Sequence, residues 1–96
     1  MKPLTVVATV KAKPGLEKKL GDTLKTLVAP TRAEKGCINY DMHQSDEDAG
    51  LYVFHENWAT RADWEVHMKT PHLVKFAAMQ SDLADSWTLF SGHNVS

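Results

Sequence analysis

The spacing of hydrophobic and polar positions changes several times along this chain, and each change marks an element. Leu4 to Lys13 is rich in Val and Thr and is closed by Pro14-Gly15, which predicts a first strand and its end. Apolar residues then recur at helical spacing with charged residues opposite them, which predicts an amphipathic helix. Its apolar positions are Leu16, Leu20, Leu24, Leu27 and Val28. Gly36 ends this region, as glycine commonly does just past a helix.

From Cys37 the apolar positions recur every second residue, which predicts a second strand. Its two faces carry Ile38, Tyr40 and Met42 on one side and Asn39, Asp41 and His43 on the other. Residues 44–50 are polar and end in glycine, as expected of a hairpin loop. Residues 51–58 form the third strand, and neither of its faces is purely polar, so we expect both faces to be covered.

Two helices and a last strand are predicted after residue 58. Thr60 and Asp63 form a variant capping pair for a short helix. Thr70-Pro71 begins the next helix, with Thr as the cap and Pro in the first turn. The inward positions of that helix are Leu73, Phe76, Ala77 and Leu83. Residues 86–90 are expected to form the final strand.

The order strand, helix, strand, strand, helix, strand is that of the split βαβ, ferredoxin-like unit. The expected fold class is therefore α+β, with one antiparallel sheet covered by helices on one face. The 96 residues are enough for one domain, residues 1–96. Because the second sheet face also carries apolar residues, we expect a second copy of the chain to cover it in a twofold homodimer.

Composition excludes several classes of partner. The net charge is −1, from 11 basic and 12 acidic residues, so the chain lacks the electrostatic footprint of a protein that binds nucleic acid or an anionic membrane. No apolar run approaches a membrane span, and the N-terminus does not resemble a secretory signal. Cys37 is the only cysteine, so no internal disulfide is expected and a reducing compartment fits. A cytoplasmic location is the resulting expectation.

The segment from Glu56 to His72 concentrates aromatic and titratable side chains. Glu56 and Trp58 lie two apart on the third strand and share one face, since strand side chains repeat with period two. Trp64 and His67 lie three apart, on one side of the short helix. His72 follows the helix-starting Thr70-Pro71. Aromatic rings beside titratable groups predict a pocket.

Each of these residues also has a purely structural interpretation. Trp58 suits a core or an interface, and His67 could be a buried side chain whose nitrogens are hydrogen-bonded within the protein. His72 could simply support the first turn of its helix. Glu56 could orient a histidine or form a cross-strand pair, and the sequence leaves both open. No two of the five histidines have the spacing of metal ligands together with a third residue placed to complete a site, so no metal is expected.

Four short motifs carry a resemblance to a known family. They are Lys13-Pro14-Gly15, Glu34-Lys35-Gly36-Cys37, Glu56-Asn57-Trp58, and His67 followed by Thr70-Pro71-His72. Taken in this order, they resemble the antibiotic biosynthesis monooxygenase (ABM) family and its quinol monooxygenase branch. The resemblance implies a dimeric α+β barrel that oxidises small aromatic, quinol-like substrates with molecular oxygen, without flavin, haem or metal.

The same resemblance implies roles for the clustered residues. His67 is the expected proton acceptor, with Glu56 as its orienting partner, because a histidine of near-neutral pKa suits proton removal. Trp58 and Trp64 match positions where relatives place aromatic pocket residues, and offset stacking suits a planar substrate. His72 is a further substrate-binding candidate. No cofactor is expected.

Three alternatives remain open or are disfavoured. A branch of the superfamily that degrades haem uses an asparagine on the first strand, and residues 5–10 contain none, so haem degradation is disfavoured. A second branch isomerises a small phosphorylated, sugar-like signalling compound, and it resembles this chain closely at the strand end and the histidine. An isomerase or detoxifying enzyme for a small carbonyl compound is therefore a rival. The non-enzymatic rival is a dimeric ligand-binding module.

Overall fold

A computed structural model describes residues 2–96 of the chain and has the predicted order of elements. The elements are β1 (Leu4–Ala12), α1 (Glu17–Lys25), α2 (Val28–Arg32), β2 (Cys37–Gln44), β3 (Leu51–Trp58), α3 (Arg61–His67), α4 (Pro71–Leu83) and β4 (Ala84–Gly92). The helical region between β1 and β2 consists of two helices, and so does the region between β3 and β4. Among these residues, no helix combines the length and apolar character that crossing a bilayer requires.

The four strands form one antiparallel sheet in the order β2-β3-β1-β4. Consecutive strands β2 and β3 pair as the predicted hairpin, and β1 lies between β3 and β4. This topology confirms the expected α+β, ferredoxin-like fold. The last strand, β4, is longer than predicted because it follows α4 without a loop and pairs with most of β1.

The core lies between one face of the sheet and the helices. Alternate residues of β1 and β3 point to this face, because strand side chains alternate. Its buried apolar side chains include Leu4, Val6 and Val10 of β1, Tyr52, Phe54 and Trp58 of β3, Leu20 and Leu24 of α1, and Phe76 and Leu83 of α4. Each fully buried large apolar side chain contributes about 1.5–3 kcal/mol to folding, so this face supplies most of the stability.

The first helical region is not the continuous helix that the sequence predicts. After α1 the backbone tightens, because Thr26 N donates to Thr23 O at 3.2 Å and Leu27 N donates to Leu24 O at 3.0 Å. Pro30 explains the break: it has no N–H to donate to the carbonyl four residues earlier, and its ring crowds that carbonyl. The chain therefore restarts as the short helix α2 and reaches β2 from a different direction.

Gly36 joins α2 to β2 and confirms its predicted position at the end of the helical region. Its φ is +81°, a conformation that residues with a Cβ rarely adopt. Its carbonyl accepts from Ala59 N at 2.8 Å, and a Cβ at this position would clash with the Asp63 side chain. The turn at Gly36 therefore lies directly against α3 and fixes where that helix begins.

The two later helices begin where predicted, but with different capping bonds. Asp63 N donates to Thr60 Oγ1 at 3.1 Å, which confirms the cap of α3. Thr70 occupies the predicted cap position of α4, with Pro71 first in the helix, but it forms no side-chain cap bond there. Its hydroxyl instead donates to His67 O at 2.7 Å, because the last turn of α3 brings that carbonyl within reach. Thr70 therefore ties α3 to α4.

The second face of the sheet carries no helix and has a mixed character. A row of hydrogen bonds crosses it: Thr5 Oγ1 donates to Asn57 Oδ1 at 2.6 Å, and Asn57 Nδ2 donates to Asn39 Oδ1 at 2.8 Å. Apolar side chains lie beside this row, including the exposed ring of Phe90. His55 lies on this face as well and is exposed. We call this surface the open face.

Candidate active site

A cavity of about 360 Å³ lies between the core face of the sheet and helices α3 and α4. Most of its lining is apolar or aromatic, and the lining includes Tyr40, Phe54, Trp64, Phe76, Trp87 and Leu89. Glu56 and His67 also line it. A wider groove of about 610 Å³ beside α1 is lined mostly by charged and polar side chains. The smaller cavity combines apolar walls with a few titratable groups, which is typical of small-molecule sites.

Glu56 presents a buried carboxyl group to this cavity. It lies on β3, is only 4% exposed, and its Oε1 accepts from Trp58 Nε1 at 2.9 Å. Burial raises the pKa of Glu56 to about 7, against the lowering effect of the Trp58 hydrogen bond. The carboxyl group therefore exchanges a proton near neutral pH, as a general acid or base requires.

His67 is the second titratable group of the cavity. It ends α3, is 1% exposed, and packs on the ring of Trp58 with centroids 4.6 Å apart. Its Nδ1 lies 2.8 Å from Glu34 Oε2. Burial lowers the pKa of His67, and this effect outweighs the opposing hydrogen bond with Glu34. The ring is therefore neutral at pH 7, and because Glu34 engages Nδ1, Nε2 is the nitrogen left to accept a proton.

The orienting partner of His67 is Glu34, and the expected pairing with Glu56 is wrong. Glu56 is bonded to Trp58, whereas Glu34 reaches His67 from the turn between α2 and β2. The physical reason is topological, because that turn lies against α3 through Gly36 and so brings Glu34 alongside the end of the helix. Sequence reasoning gave Glu34 no role, although it begins the motif Glu34-Lys35-Gly36-Cys37.

The two tryptophans of the cluster have different places. Trp64 is half-buried and lines the cavity, with the guanidinium carbon of Arg61 5.8 Å from its ring centroid. Trp58 is fully buried and is not part of the lining, because its ring is covered by the core and by His67. Direct substrate contact by Trp58 therefore does not agree with its position. Trp58 instead holds Glu56 and supports His67.

His72 also lies outside the cavity, which does not agree with a role in binding substrate there. It is half-buried at the start of α4, and its Nε2 lies 2.8 Å from Glu34 Oε2 and 3.2 Å from Thr70 Oγ1. Glu34 Oε2 is therefore shared by His67 and His72. One ligand atom from each of these three residues lies within 4.8 Å of the others, a group that could hold a metal ion. No third ligand is evident from the spacing of the histidines in the sequence, and the fold supplies one in Glu34.

Tyr40 is a third titratable residue of the cavity lining, and it is buried. Burial raises the pKa of Tyr40 far above its usual value, so the group stays protonated. Its ring meets that of His67 edge-on, with centroids 5.6 Å apart. The cavity is thus lined by a carboxyl group with a pKa of about 7, a neutral imidazole and a phenol that stays protonated.

The fold and the cavity together define a small α+β protein in which two buried titratable side chains, Glu56 and His67, line one cavity. Residues 3–79 match the family described as "Antibiotic biosynthesis monooxygenase". The chain belongs to this family, which confirms the expected resemblance.

Individual relatives agree with this assignment. "Putative monooxygenase Rv0793" of Mycobacterium tuberculosis is 32% identical over 81 residues, covering 84% of this chain and 79% of the relative. "Uncharacterized protein sll1783" of Synechocystis is 30% identical over 81 residues, covering 84% of this chain but only 55% of the relative, so the match spans about half of that protein. The crystal structure of PA3566 from Pseudomonas aeruginosa superposes with a TM-score of 0.96 at 35% identity, covering 100% of this chain and 97% of that one.

Proposed function

We propose that the protein oxidises a quinol or a related phenolic aromatic with molecular oxygen, without flavin or haem. The observation that carries this proposal is the buried pair Glu56 and His67 facing one apolar, aromatic-walled cavity. Its volume, about 360 Å³, lies at the lower end of the range for small-molecule sites and suits a compound of one or two rings. Family membership and the monooxygenase names of relatives support the reaction class.

For this reaction, the protein needs mainly to accept protons from the substrate and to exclude water from the cavity. A hydroquinone that has lost a proton can transfer one electron to oxygen, so deprotonation is the step that a positioned base accelerates. Overall, the hydroquinone and one oxygen molecule give a hydroxyquinone and one water. One oxygen atom bonds to the ring, the other leaves in the water, and the substrate supplies all four electrons that reduce the oxygen molecule. No external reductant is needed for this balance.

Two proton acceptors match the two hydroxyl protons of a hydroquinone. We assign the first proton to Nε2 of His67, because Glu34 holds the Nδ1 side of a ring that is neutral at pH 7. Glu56 faces the same cavity with a pKa of about 7 and takes the second. Trp64 forms an aromatic wall against which a planar ring can stack.

Aerobic turnover of a defined panel tests this proposal. The purified protein is incubated with hydroquinones and naphthols while oxygen uptake and product mass are followed. For a hydroquinone substrate, the expected product has gained one oxygen atom and lost two hydrogens, and the added atom carries the label when ¹⁸O₂ is supplied. Unlabelled product, or no oxygen uptake above the buffer rate for the whole panel, would contradict the oxygenase assignment.

A second candidate is an isomerase acting on a small carbonyl compound. Glu56 and His67 favour it as well, since two groups on one cavity can remove a proton beside a carbonyl and return it to a neighbouring atom. An experiment can distinguish the isomerase from the oxygenase even before the natural substrate is identified. An isomerase exchanges substrate hydrogen with heavy water in the absence of oxygen, whereas the oxygenase reaction stops when oxygen is removed.

We further propose that the protein is a homodimer joined through the open face. Supporting observations are the apolar side chains that lie beside the polar row, including Phe90 at 59% exposure. Stable interfaces of this kind bury on the order of 1,200–2,000 Å² in total. Sedimentation at micromolar concentration should give twice the mass of one chain, and substituting Phe90 by Lys should shift the protein toward monomer. A folded wild-type monomer under these conditions would rule the dimer out.

A further inference from the structure

Glu34, His67 and His72 form a second cluster of functional side chains beside the cavity. They come from three separate places: the turn after α2, the end of α3 and the first turn of α4. Glu34 Oε2 lies 2.8 Å from His67 Nδ1 and 2.8 Å from His72 Nε2. One ligand atom of each residue lies within 4.8 Å of the others. Two imidazoles thus converge on one carboxylate.

This donor set suits a borderline divalent metal ion. Imidazole nitrogen and carboxylate oxygen are both ordinary zinc ligands, and two histidines with one carboxylate recur in metal sites with open positions. The cluster is also largely shielded from water, since the side chains of His67, Glu34 and His72 are 2%, 13% and 22% exposed. Within residues 2–96, the charged or titratable side chains that contact the Glu34 carboxylate are these two histidines, so no lysine or arginine competes for it.

The second oxygen of Glu34 supports the same conclusion independently. Glu34 Oε1 is buried and has no hydrogen-bond partner among residues 2–96. A buried carboxylate oxygen without a partner is unfavourable, because it has lost its water and gained nothing in return. The two histidines do not relieve this, since both bond to Oε2. A cation bound beside the carboxylate would compensate for the missing hydrogen bond of Oε1.

We propose that Glu34, His67 and His72 bind one divalent transition-metal ion, with zinc as the representative ion. Zinc bonds to these ligands are about 2.0–2.1 Å long, so tetrahedral ligand atoms are about 3.3 Å apart. The two nitrogens lie 2.8 Å from Oε2, so the carboxylate must withdraw by about half an ångström to admit the ion. Rotation of the Glu34 side chain supplies this movement, and Oε1 has no hydrogen bond to lose in it.

The ion would connect elements rather than enter the cavity. Its ligand on His67 is Nδ1, whereas the nitrogen assigned above to proton transfer is Nε2, on the other side of the ring. Binding would link the turn before β2 to both α3 and α4, and an ion that binds only the folded chain raises the melting temperature. The site is argued from the geometry of the cluster and does not rest on the proposed oxidation of quinols.

Zinc binding by the untagged, chelator-treated protein tests the site without any substrate. Zinc is titrated against a chromophoric chelator, and melting temperature is measured with zinc in 100-fold excess over the dissociation constant. The expected result is one zinc ion per chain and a rise of more than about 5 °C. His72→Gln should weaken zinc binding at least about 100-fold and remove the rise. His55→Gln, a histidine exposed on the open face, should leave both unchanged.

Two further variants keep the result interpretable. Glu34→Gln removes the charged ligand and should weaken zinc binding as His72→Gln does, while circular dichroism checks that both variants remain folded. Cys37→Ser tests the half-buried thiol as a competing ligand and should bind zinc like the wild type. Equal zinc affinity in the wild type and His72→Gln, no rise in melting temperature, or loss of binding in Cys37→Ser would each overturn the proposal. The cluster would then be a hydrogen-bonded triad only.

Discussion

The two faces of the sheet carry similar residue types but give them different environments. Each face contains a histidine beside polar partners: His67 contacts the core face and is 1% exposed, whereas His55 lies exposed on the open face. Carboxylates lie on both faces as well, Glu56 on one and Asp41 on the other. The helices cover only the core face. Their cover is what moves the pKa values of Glu56 and His67, mainly through burial.

The comparison shows that residue type alone does not mark a functional group in this chain. Five histidines occur in the sequence, and the fold buries one of them against a cavity. On the open face, hydrogen bonds between Thr5, Asn57 and Asn39 satisfy the polar groups near water. On the core face, Oε1 of Glu56 accepts the Trp58 hydrogen bond, and the carboxyl group is almost completely shielded from water. Chemistry is therefore expected on the core face, and association on the open face.

Exchanging the buried histidine should give the largest effect. His67→Gln removes the proposed proton acceptor, and a positioned base contributes about 10²- to 10⁴-fold in rate. Turnover should fall by that factor with a smaller change in binding, and the loss should shrink at high pH, where the substrate ionises unaided. His55→Gln is the matched control and should keep wild-type turnover. Similar turnover in both variants at neutral pH would remove His67 from the reaction.

Glu56 should make the stability of the wild type depend on pH. Its folded pKa of about 7 lies above the ordinary value of 4.5, so the folded state binds more protons between these values. The contribution of Glu56 to stability therefore falls as pH rises through this window, by about 3 kcal/mol once the group is fully charged.

Glu56→Gln should abolish this fall, because an amide oxygen can still accept from Trp58 and carries no charge. The measurement is urea unfolding of both proteins at pH 5 and pH 8.5. The variant should lose less stability than the wild type between the two. Asp41→Asn on the open face is the control and should leave the wild-type trend in place. Parallel trends for the wild type and Glu56→Gln would mean that burial of Glu56 does not penalise its charge.

Trp64 should give an effect of similar or smaller size, limited to binding. Trp64→Ala removes an aromatic wall of the cavity and should weaken the affinity for a naphthoquinone by about 1–3 kcal/mol, the scale of one buried apolar side chain. Val66→Ala changes an exposed residue of the same helix and should bind normally. The affinity is measured by titration calorimetry. Equal affinity in the two variants would assign Trp64 to packing alone.

Most of the fold could be predicted from the sequence, because strands and helices are set by local periodicity. The four strands, the Thr60 cap and the turn at Gly36 all follow from short-range patterns. The break between α1 and α2 was missed, since the apolar spacing continues through Val28 while Pro30 acts on the preceding turn. Periodicity describes side chains, whereas a proline interrupts backbone hydrogen bonds.

The site was harder to predict because its key contacts join distant segments. Glu56, Trp64 and His67 were found as an aromatic and titratable cluster close in sequence, and they line one cavity. Glu34 lies 33 positions from His67 in an irregular turn, where no periodicity marks the direction of a side chain. The same limit explains Trp58 and His72, whose neighbours in sequence suggested the cavity although packing directs both elsewhere.

The turn at Gly36 has a consequence for engineering the substrate range. Because Gly36 has no side chain, α3 can pack directly against the backbone of this turn. This position therefore controls where α3 lies, together with its residues Trp64 and His67. Any larger residue there would displace α3, and with it Trp64 and His67. The cavity is therefore more safely widened at Leu89 or Trp87 on β4, whose side chains line it and are about half exposed.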